Sequence, residues 1–146
     1  MEESPGLATL RQARTVATSL AGGILLFAVV AVMLRPTPAT SALAPPAGLA
    51  GIVSPLIGYR LYSWLRERVP GSAGPAQRRA AFLRATLLSL SVTDVTAAFG
   101  LVVYLFTEAP STLIGVASHV ILTGAVWPTE ERLESFLRGA PDGGAG

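Results

Sequence analysis

The sequence contains no cysteine and only one histidine, and these two absences exclude several classes of protein. Without cysteine the chain can form no disulfide framework, no zinc–thiolate cluster and no thiol nucleophile. With His119 as the single imidazole, most metal sites and every two-histidine motif are excluded as well. We therefore expect neither a metal nor a cofactor.

Charge is also scarce. Only 14% of the 146 residues are charged, whereas soluble domains carry about 25%. All 11 basic residues are arginine, and they are distributed between apolar stretches. A nucleic-acid-binding surface needs basic residues gathered on one soluble face, so we expect no nucleic acid partner. With 51% hydrophobic residues, the composition instead indicates that the lipid bilayer is the main partner.

Four apolar stretches predict four membrane-spanning helices, at residues 16–34, 47–65, 80–106 and 111–127. The first has 19 residues, which at about 1.5 Å each reach roughly 28 Å, close to the hydrocarbon thickness of a bilayer. It is longer than the roughly 7–15 residues of a signal-peptide core, so we expect it to remain as an uncleaved span. The predicted fold class is all-α: an integral membrane four-helix up-and-down bundle.

The segments between and after these stretches complete the predicted domain, residues 1–138. Residues 66–79 are predicted to be a polar connector, and residues 108–110 a tight turn. After Pro128, residues 129–138 predict a short amphipathic helix in the interface plane, because Leu133 and Phe136 share one side of it. The tail, residues 139–146, is expected to be disordered.

Arginine placement predicts the orientation. Arginines collect before the first span, in the middle connector and after the fourth span, and the turn at Glu108 has none. Because short cytoplasmic loops are enriched in Lys and Arg, both termini are predicted to be cytoplasmic. Tyr62, Trp64 and Trp127 then fall at the cytoplasmic helix ends, where such rings prefer the headgroup level. The Arg-only, Ala/Gly/Pro-rich composition is typical of a GC-rich bacterial genome, so we expect the bacterial cytoplasmic (inner) membrane.

Two ionisable residues fall at membrane depth. Asp94 lies ten residues beyond Arg84, about 15 Å along the third span, and His119 lies at a similar depth on the neighbouring fourth span. A charged aspartate at mid-membrane costs about 2.5–3.5 kcal/mol, so it needs a partner. His119 is the first candidate and Arg60, on the second span, is the other. The pair is either a proton-handling or ligand-orienting site, or an interhelical polar clamp that also involves Ser89, Ser91, Thr93 and Thr96.

Small residues predict where the helices pack closely. Gly51, Ser54 and Gly58 recur at helical spacing on the second span, which also contains Pro55, and Gly100 is a small residue of the third span. Small residues allow helix backbones to approach each other in membranes. We expect these positions to form helix-packing faces.

The stretch from Asp94 to Val103, DVTAAFGLVV, resembles the C-terminal helix of the ATP synthase c subunit. In that family an intramembrane carboxylate is followed, at the same spacing, by an aromatic-Gly-Leu-Val-Val sequence. The resemblance implies that Asp94 matches the proton-carrying carboxylate. It covers this part of one helix, and residues 66–79 lack the polar loop signature of the family. The whole chain also resembles small four-span bacterial membrane proteins that have a proline and a charged helix after the fourth span.

The sequence contains no nucleophile–base–orienter set, so we expect that the protein is not an enzyme. The favoured function is a non-enzymatic subunit or scaffold of a membrane assembly, with membrane-protein partners or copies of itself held through small-residue faces. The alternative is a proton or small-solute translocator that uses Asp94, with His119 or Arg60 as modulator.

Overall fold

The computed structural model describes residues 4–34 and 42–138, and the predicted disordered tail lies outside these residues. The described chain is helical and contains no strand, which confirms the all-α prediction. A short 3-10 turn precedes the fourth helix. The elements are α1 (Pro5–Met33), α2 (Ala44–Glu67), α3 (Pro75–Thr107), the 3-10 turn (Pro110–Leu113), α4 (Ile114–Ala125) and α5 (Glu130–Arg138).

Helix α1 begins well before the apolar stretch that predicted it. Ser4 caps the helix, since its hydroxyl accepts a hydrogen bond from the Leu7 N–H at 3.4 Å, and Pro5 occupies the first turn. Proline suits the first turn because the backbone N–H it lacks would have no intrahelical acceptor there. The polar N-terminal segment is therefore helical, and the predicted start at residue 16 marks only the apolar part.

The connector between α2 and α3 is shorter than predicted. Helix α2 ends at Glu67, and α3 begins at Pro75, a proline in the first turn as in α1. The loop therefore runs from residue 68 to residue 74, and the predicted extent of the connector, 66–79, is wrong. At the other end of α3, Glu108 adopts the left-handed conformation (φ 52°) and its N–H donates to the Tyr104 carbonyl at 2.8 Å. The predicted tight turn at residues 108–110 is confirmed.

Two apolar clusters define the helix directions. One joins the N-terminal parts of α1 and α3 to the C-terminal ends of α2 and α4 and to α5, and includes Leu10, Tyr62, Phe82, Leu122, Leu133 and Phe136. The other joins the C-terminal parts of α1 and α3 to the start of α4, and includes Ile24, Ala31, Ala97, Leu101 and Val116. Helices α1 and α3 therefore run parallel, and α2 and α4 run antiparallel to them. Helix α3 packs against α1, α2, α4 and α5.

Helices α2, α3 and α4 meet at glycines that we call the small-residue seam. A β-carbon on Gly51 would lie 2.6 Å from the backbone nitrogen of Gly115, and one on Gly58 would lie 2.8 Å from the carbonyl oxygen of Ser89. A β-carbon on Gly100 would overlap a carbonyl oxygen of the 3-10 turn. No side chain fits at these distances, so the backbones touch directly. The seam consists of Gly51, Gly58, Gly100 and Gly115.

The seam is filled by the chain's own helices. The sequence predicts that the small-residue face of α2 binds partner proteins or further copies of the chain. In the structure, however, Gly51, Ser54 and Gly58 are buried inside the monomer, on the side of α2 that packs against α3 and α4. Close packing within one chain is the same physical use of small residues, applied inside the monomer. Any partner must therefore bind a different surface.

Helix α2 continues unbroken through Pro55. Proline has no N–H, so the carbonyl of Gly51, four residues earlier, loses its normal helical donor. The buried Ser54 hydroxyl donates to this carbonyl at 3.3 Å. A neighbouring hydroxyl thus replaces the missing donor in a region without water.

Helix α5 docks onto the ends of the long helices. Leu133 and Phe136 are buried, and the Phe136 ring lies edge-on to Tyr62 and Phe82, with centroids 5.9 and 5.3 Å away. The apolar face of α5 is therefore covered by the long helices, and its position in the interface plane stays a prediction. The Tyr62 side chain is buried beneath α5, because aromatic packing is available there.

A buried arginine fixes this arrangement. The Arg78 side chain donates from Nη1 to the Phe136 carbonyl at 3.2 Å, from Nη2 to the Gly71 carbonyl at 2.7 Å and from Nε to the Ala73 carbonyl at 2.9 Å. The last carbonyls of a helix have no intrahelical donor, and Phe136 lies in the last turn of α5. One guanidinium therefore joins the 68–74 loop, α3 and α5.

Two of the helices, α1 and α3, are long and apolar enough to cross a membrane. Helix α2 does not meet this criterion, because its prolines, its glycines and Arg60 lower its mean hydropathy. The 3-10 turn and α4 meet it only together with α5, from which they are bent by 65°. The structure thus supports a membrane protein, with two helices that are long and apolar enough to cross the bilayer, or three crossings if the bent pair is one span.

We expect Gly51→Ala to destabilise the fold by about 1–3 kcal/mol, because the added methyl must push α2 and α4 apart. The measurement is thermal or denaturant unfolding in detergent. Gly124→Ala is the matched control, since a β-carbon on that exposed helical glycine would meet nothing within 4 Å. Equal stability of the two variants would contradict a close-packed seam.

Candidate functional site

The structure brings together the two ionisable side chains predicted at membrane depth. His119 Nε2 lies 4.0 Å from Asp94 Oδ1. The histidine side chain is 0% exposed and the aspartate side chain is 29% exposed. Helices α3 and α4 are neighbours because the turn at residues 108–110 is tight, and the seam glycine Gly115 lies one helical turn before His119.

Thr93 completes this polar layer. Its Oγ1 lies 2.9 Å from His119 Nδ1 and donates to the Leu90 carbonyl at 3.0 Å. A hydroxyl has one proton, so Thr93 donates either to the Leu90 carbonyl or to Nδ1. In the first case Nδ1 carries the ring hydrogen of neutral His119, and in the second Nε2 carries it.

The free nitrogen of His119 faces Asp94. Nε2 is buried and has no hydrogen-bond partner in the described chain. Its distance of 4.0 Å from Asp94 Oδ1 exceeds hydrogen-bond range, and a shift of about 1 Å would close it. A single proton would then satisfy both groups, either on Asp94, which would donate to Nε2, or on Nε2, which would donate to the carboxylate. The layer is therefore able to hold one proton between α3 and α4.

The other hydroxyls expected in the layer do not reach across to α4. Each donates to a carbonyl of α3 itself, at 2.8–2.9 Å and three or four residues earlier in the chain. Such local bonds satisfy a hydroxyl without any contribution from a neighbouring helix. Thr93 alone of the predicted set connects two helices, whereas Ser89, Ser91 and Thr96 do not.

Arg60 is not brought to Asp94. It lies on the exposed face of α2 beside Leu56, Ile57 and Trp64, and no ion pair joins it to Asp94 in the part of the chain that the structure describes. Arg60 is the second residue after Gly58, which places it about 200° around the helix from the seam. The second candidate partner of Asp94 therefore faces away from the polar layer.

The predicted packing residues position the layer. Gly51, Ser54 and Gly58 lie on the buried side of α2, and Gly100 lies against the 3-10 turn. Sequence analysis missed Gly115, although its position one turn before His119 places both on one face of α4. In the described residues, no three His, Asp or Glu side chains come together in a way that could hold a metal ion.

Comparison with protein families, curated proteins and solved structures found no match for this chain. The resemblances proposed from its sequence therefore stay interpretations. The function of the polar layer has to be inferred from its own geometry.

We expect Thr93→Val to destabilise the protein by about 1–3 kcal/mol, because it leaves the buried Nδ1 of His119 without its hydrogen-bond partner. In a His119→Leu background, the same substitution should have much less effect, since no ring nitrogen remains to be satisfied. Unfolding in detergent of both single variants and the double variant gives the coupling energy. Ser91→Ala, which removes an exposed hydroxyl bonded only within α3, is the control. Additive effects of the two substitutions would contradict the assigned hydrogen bond.

Proposed function

We propose that this protein is a four-span, non-enzymatic subunit or scaffold of a membrane assembly, with both termini cytoplasmic in the bacterial inner membrane. The proposed topology rests on the directions of the helices in the bundle. Helices α1 and α3 are both apolar enough to cross a membrane, and they run parallel. A chain crosses twice in the same direction only if it returns in between, so α2 crosses as well. Helix α4, antiparallel to α3, supplies the fourth crossing.

The two less apolar crossings are physically reasonable. In α2, Gly51 and Gly58 are buried in the seam and do not face lipid. The Gly51 carbonyl, which lacks its helical donor because of Pro55, accepts a hydrogen bond from the Ser54 hydroxyl. Arg60 lies seven residues before the end of α2, about 10 Å along the axis, and its long side chain extends toward the headgroups. The 3-10 turn and α4 together extend about 26 Å, close to the hydrocarbon thickness.

The scaffold interpretation is supported by where the polar and apolar groups lie. Most buried hydroxyls of the helices bond inside the monomer, Thr86 Oγ1 being an exception, while the outer faces of α1 and α2 carry exposed large apolar residues. Helix α1 is less enclosed than α3, since 17% of its most apolar segment is buried, against 44% for α3. Its exposed surface also includes Ser19 and Gly23, four residues apart, a spacing that allows another helix to approach closely. The partner surface of the proposed scaffold is therefore the outer face of α1.

The scaffold proposal predicts that Gly23→Leu weakens assembly without destabilising the monomer, because no described residue lies within 4 Å of a β-carbon at that position. Protein purified in mild detergent should lose its co-purifying partner, or its oligomeric form, in this variant. The Asp94→Asn variant, which changes the polar layer and not the surface of α1, should keep the co-purifying partner or the oligomeric form. The reverse result, with assembly lost in Asp94→Asn and retained in Gly23→Leu, would rule out this surface.

Proton translocation is the second candidate, and the unpartnered His119 Nε2 facing Asp94 favours it. This function predicts that the protein in proteoliposomes passes protons down an imposed gradient and that Asp94→Asn abolishes the flux. Glu108→Gln is the control, since it removes a different carboxylate at the turn outside the layer. An Asp94→Asn protein that inserts normally and conducts as the original does would exclude Asp94 as the carrier.

A further inference from the structure

A groove of about 380 Å³ lies where the C-terminal end of α2 meets the first turns of α3. Apolar side chains and two arginines line it together. In the proposed membrane arrangement, this end of the molecule also holds the N-terminal part of α1 and the docked α5, so the groove opens at the headgroup level. Its lining includes Leu65, Arg68, Val69, Gln77, Ala81 and Arg84.

Both arginines of the groove have donors without an acidic partner. Neither Arg68 nor Arg84 forms an ion pair within the described residues, and Glu67, adjacent to Arg68, pairs with neither. Arg78 differs, since carbonyls occupy its guanidinium on every nitrogen. The groove thus holds two exposed positive charges that no acidic group among the described residues neutralises.

One of the two arginines is held in place by an aromatic ring. The Arg68 guanidinium carbon lies 3.9 Å from the ring centroid of Trp64. Stacking uses the flat face of a guanidinium and leaves its in-plane N–H donors available, and these match the oxygens of a phosphate. Gln77 adds a neutral amide to the same groove.

An apolar path leads from the groove along α3. Leu88 follows Arg84 by one helical turn and is 48% exposed. A ligand with a phosphate at the arginines and a hydrocarbon chain along this side of α3 would match both chemistries. A free phosphate would use only the arginines and leave the apolar part uncovered.

We propose that this groove binds an anionic phospholipid, with its headgroup phosphate held by Arg68 and Arg84 and an acyl chain lying along α3 past Leu88. The inference rests on the proposed membrane arrangement and goes beyond it by naming a ligand and a site. Zwitterionic lipids bind less well, because their cationic headgroup is repelled by the two guanidinium groups. The bound lipid would neutralise the charge at the junction of α2 and α3.

The test uses the tryptophan that stacks on Arg68. The chain has two tryptophans, so Trp127→Phe leaves Trp64 as the single fluorophore. In vesicles that contain either brominated phosphatidylglycerol or brominated phosphatidylcholine, Trp64 should be quenched preferentially by the anionic lipid. Near an anionic surface, each basic residue contributes about 1 kcal/mol, or about fivefold in affinity. Arg84→Gln should therefore lower the preference about fivefold, and Arg68→Gln with Arg84→Gln about 25-fold.

The control distinguishes an effect of the groove from an effect of the protein's net charge. Arg138→Gln removes one exposed charge of α5, outside the groove, and should keep the preference that Arg84→Gln lowers. Equal loss in these two single variants, or equal quenching by the two lipids in the parent, would overturn the lipid site. Loss of the preference on adding inorganic phosphate would overturn it in favour of a free-anion site. Quenching by neither lipid would instead overturn the membrane arrangement on which the inference rests.

Discussion

Direct contact between the backbones of α2, α3 and α4 is the constraint on which the rest of this structure depends. At Gly51 and Gly58 the neighbouring backbone leaves no room for a β-carbon, and at Gly115 a β-carbon would lie only 3.1 Å from the backbone of α3. Helices surrounded by lipid gain little from the hydrophobic effect when they associate, so close van der Waals contact has to hold them together. The same contact fixes the register of α3 and α4, and that register places Thr93 and Asp94 opposite His119.

The interior follows a second rule, that each polar group must find its partner within the protein. The Ser54 hydroxyl replaces the donor that Pro55 lacks, and Arg78 supplies donors to the last turn of α5 and to the preceding loop. Thr86 Oγ1 and His119 Nε2 are the buried side-chain atoms of the described chain without a hydrogen bond. Only Nε2 faces an ionisable group, and this is why the Asp94–His119 pair is the one place where the interior offers chemistry as well as packing.

Much of this arrangement followed from the sequence because it depends on local pattern and distance along a helix. Apolar stretches located the helices, and counting residues from the ends placed Asp94 and His119 at one level. Contacts between distant segments could not be read in this way. Arg78 and Arg79 are equivalent in a charge count, yet only the fold shows that Arg78 is buried against α5. The direction of Arg60 and the contact between Thr93 and His119 Nδ1 likewise depend on which atoms the fold brings near.

The central claim, that the chain crosses the membrane four times, can be tested directly because the sequence contains no cysteine. Single cysteines at Ala42, Ser72, Glu108 and Glu134 would each report one end of a proposed span to a membrane-impermeant thiol reagent. In intact cells, we expect labelling at Ala42→Cys and Glu108→Cys, and labelling at Ser72→Cys and Glu134→Cys only after the membrane is permeabilised. Labelling of Ser72→Cys in intact cells would contradict the account, because α2 would then not cross the membrane.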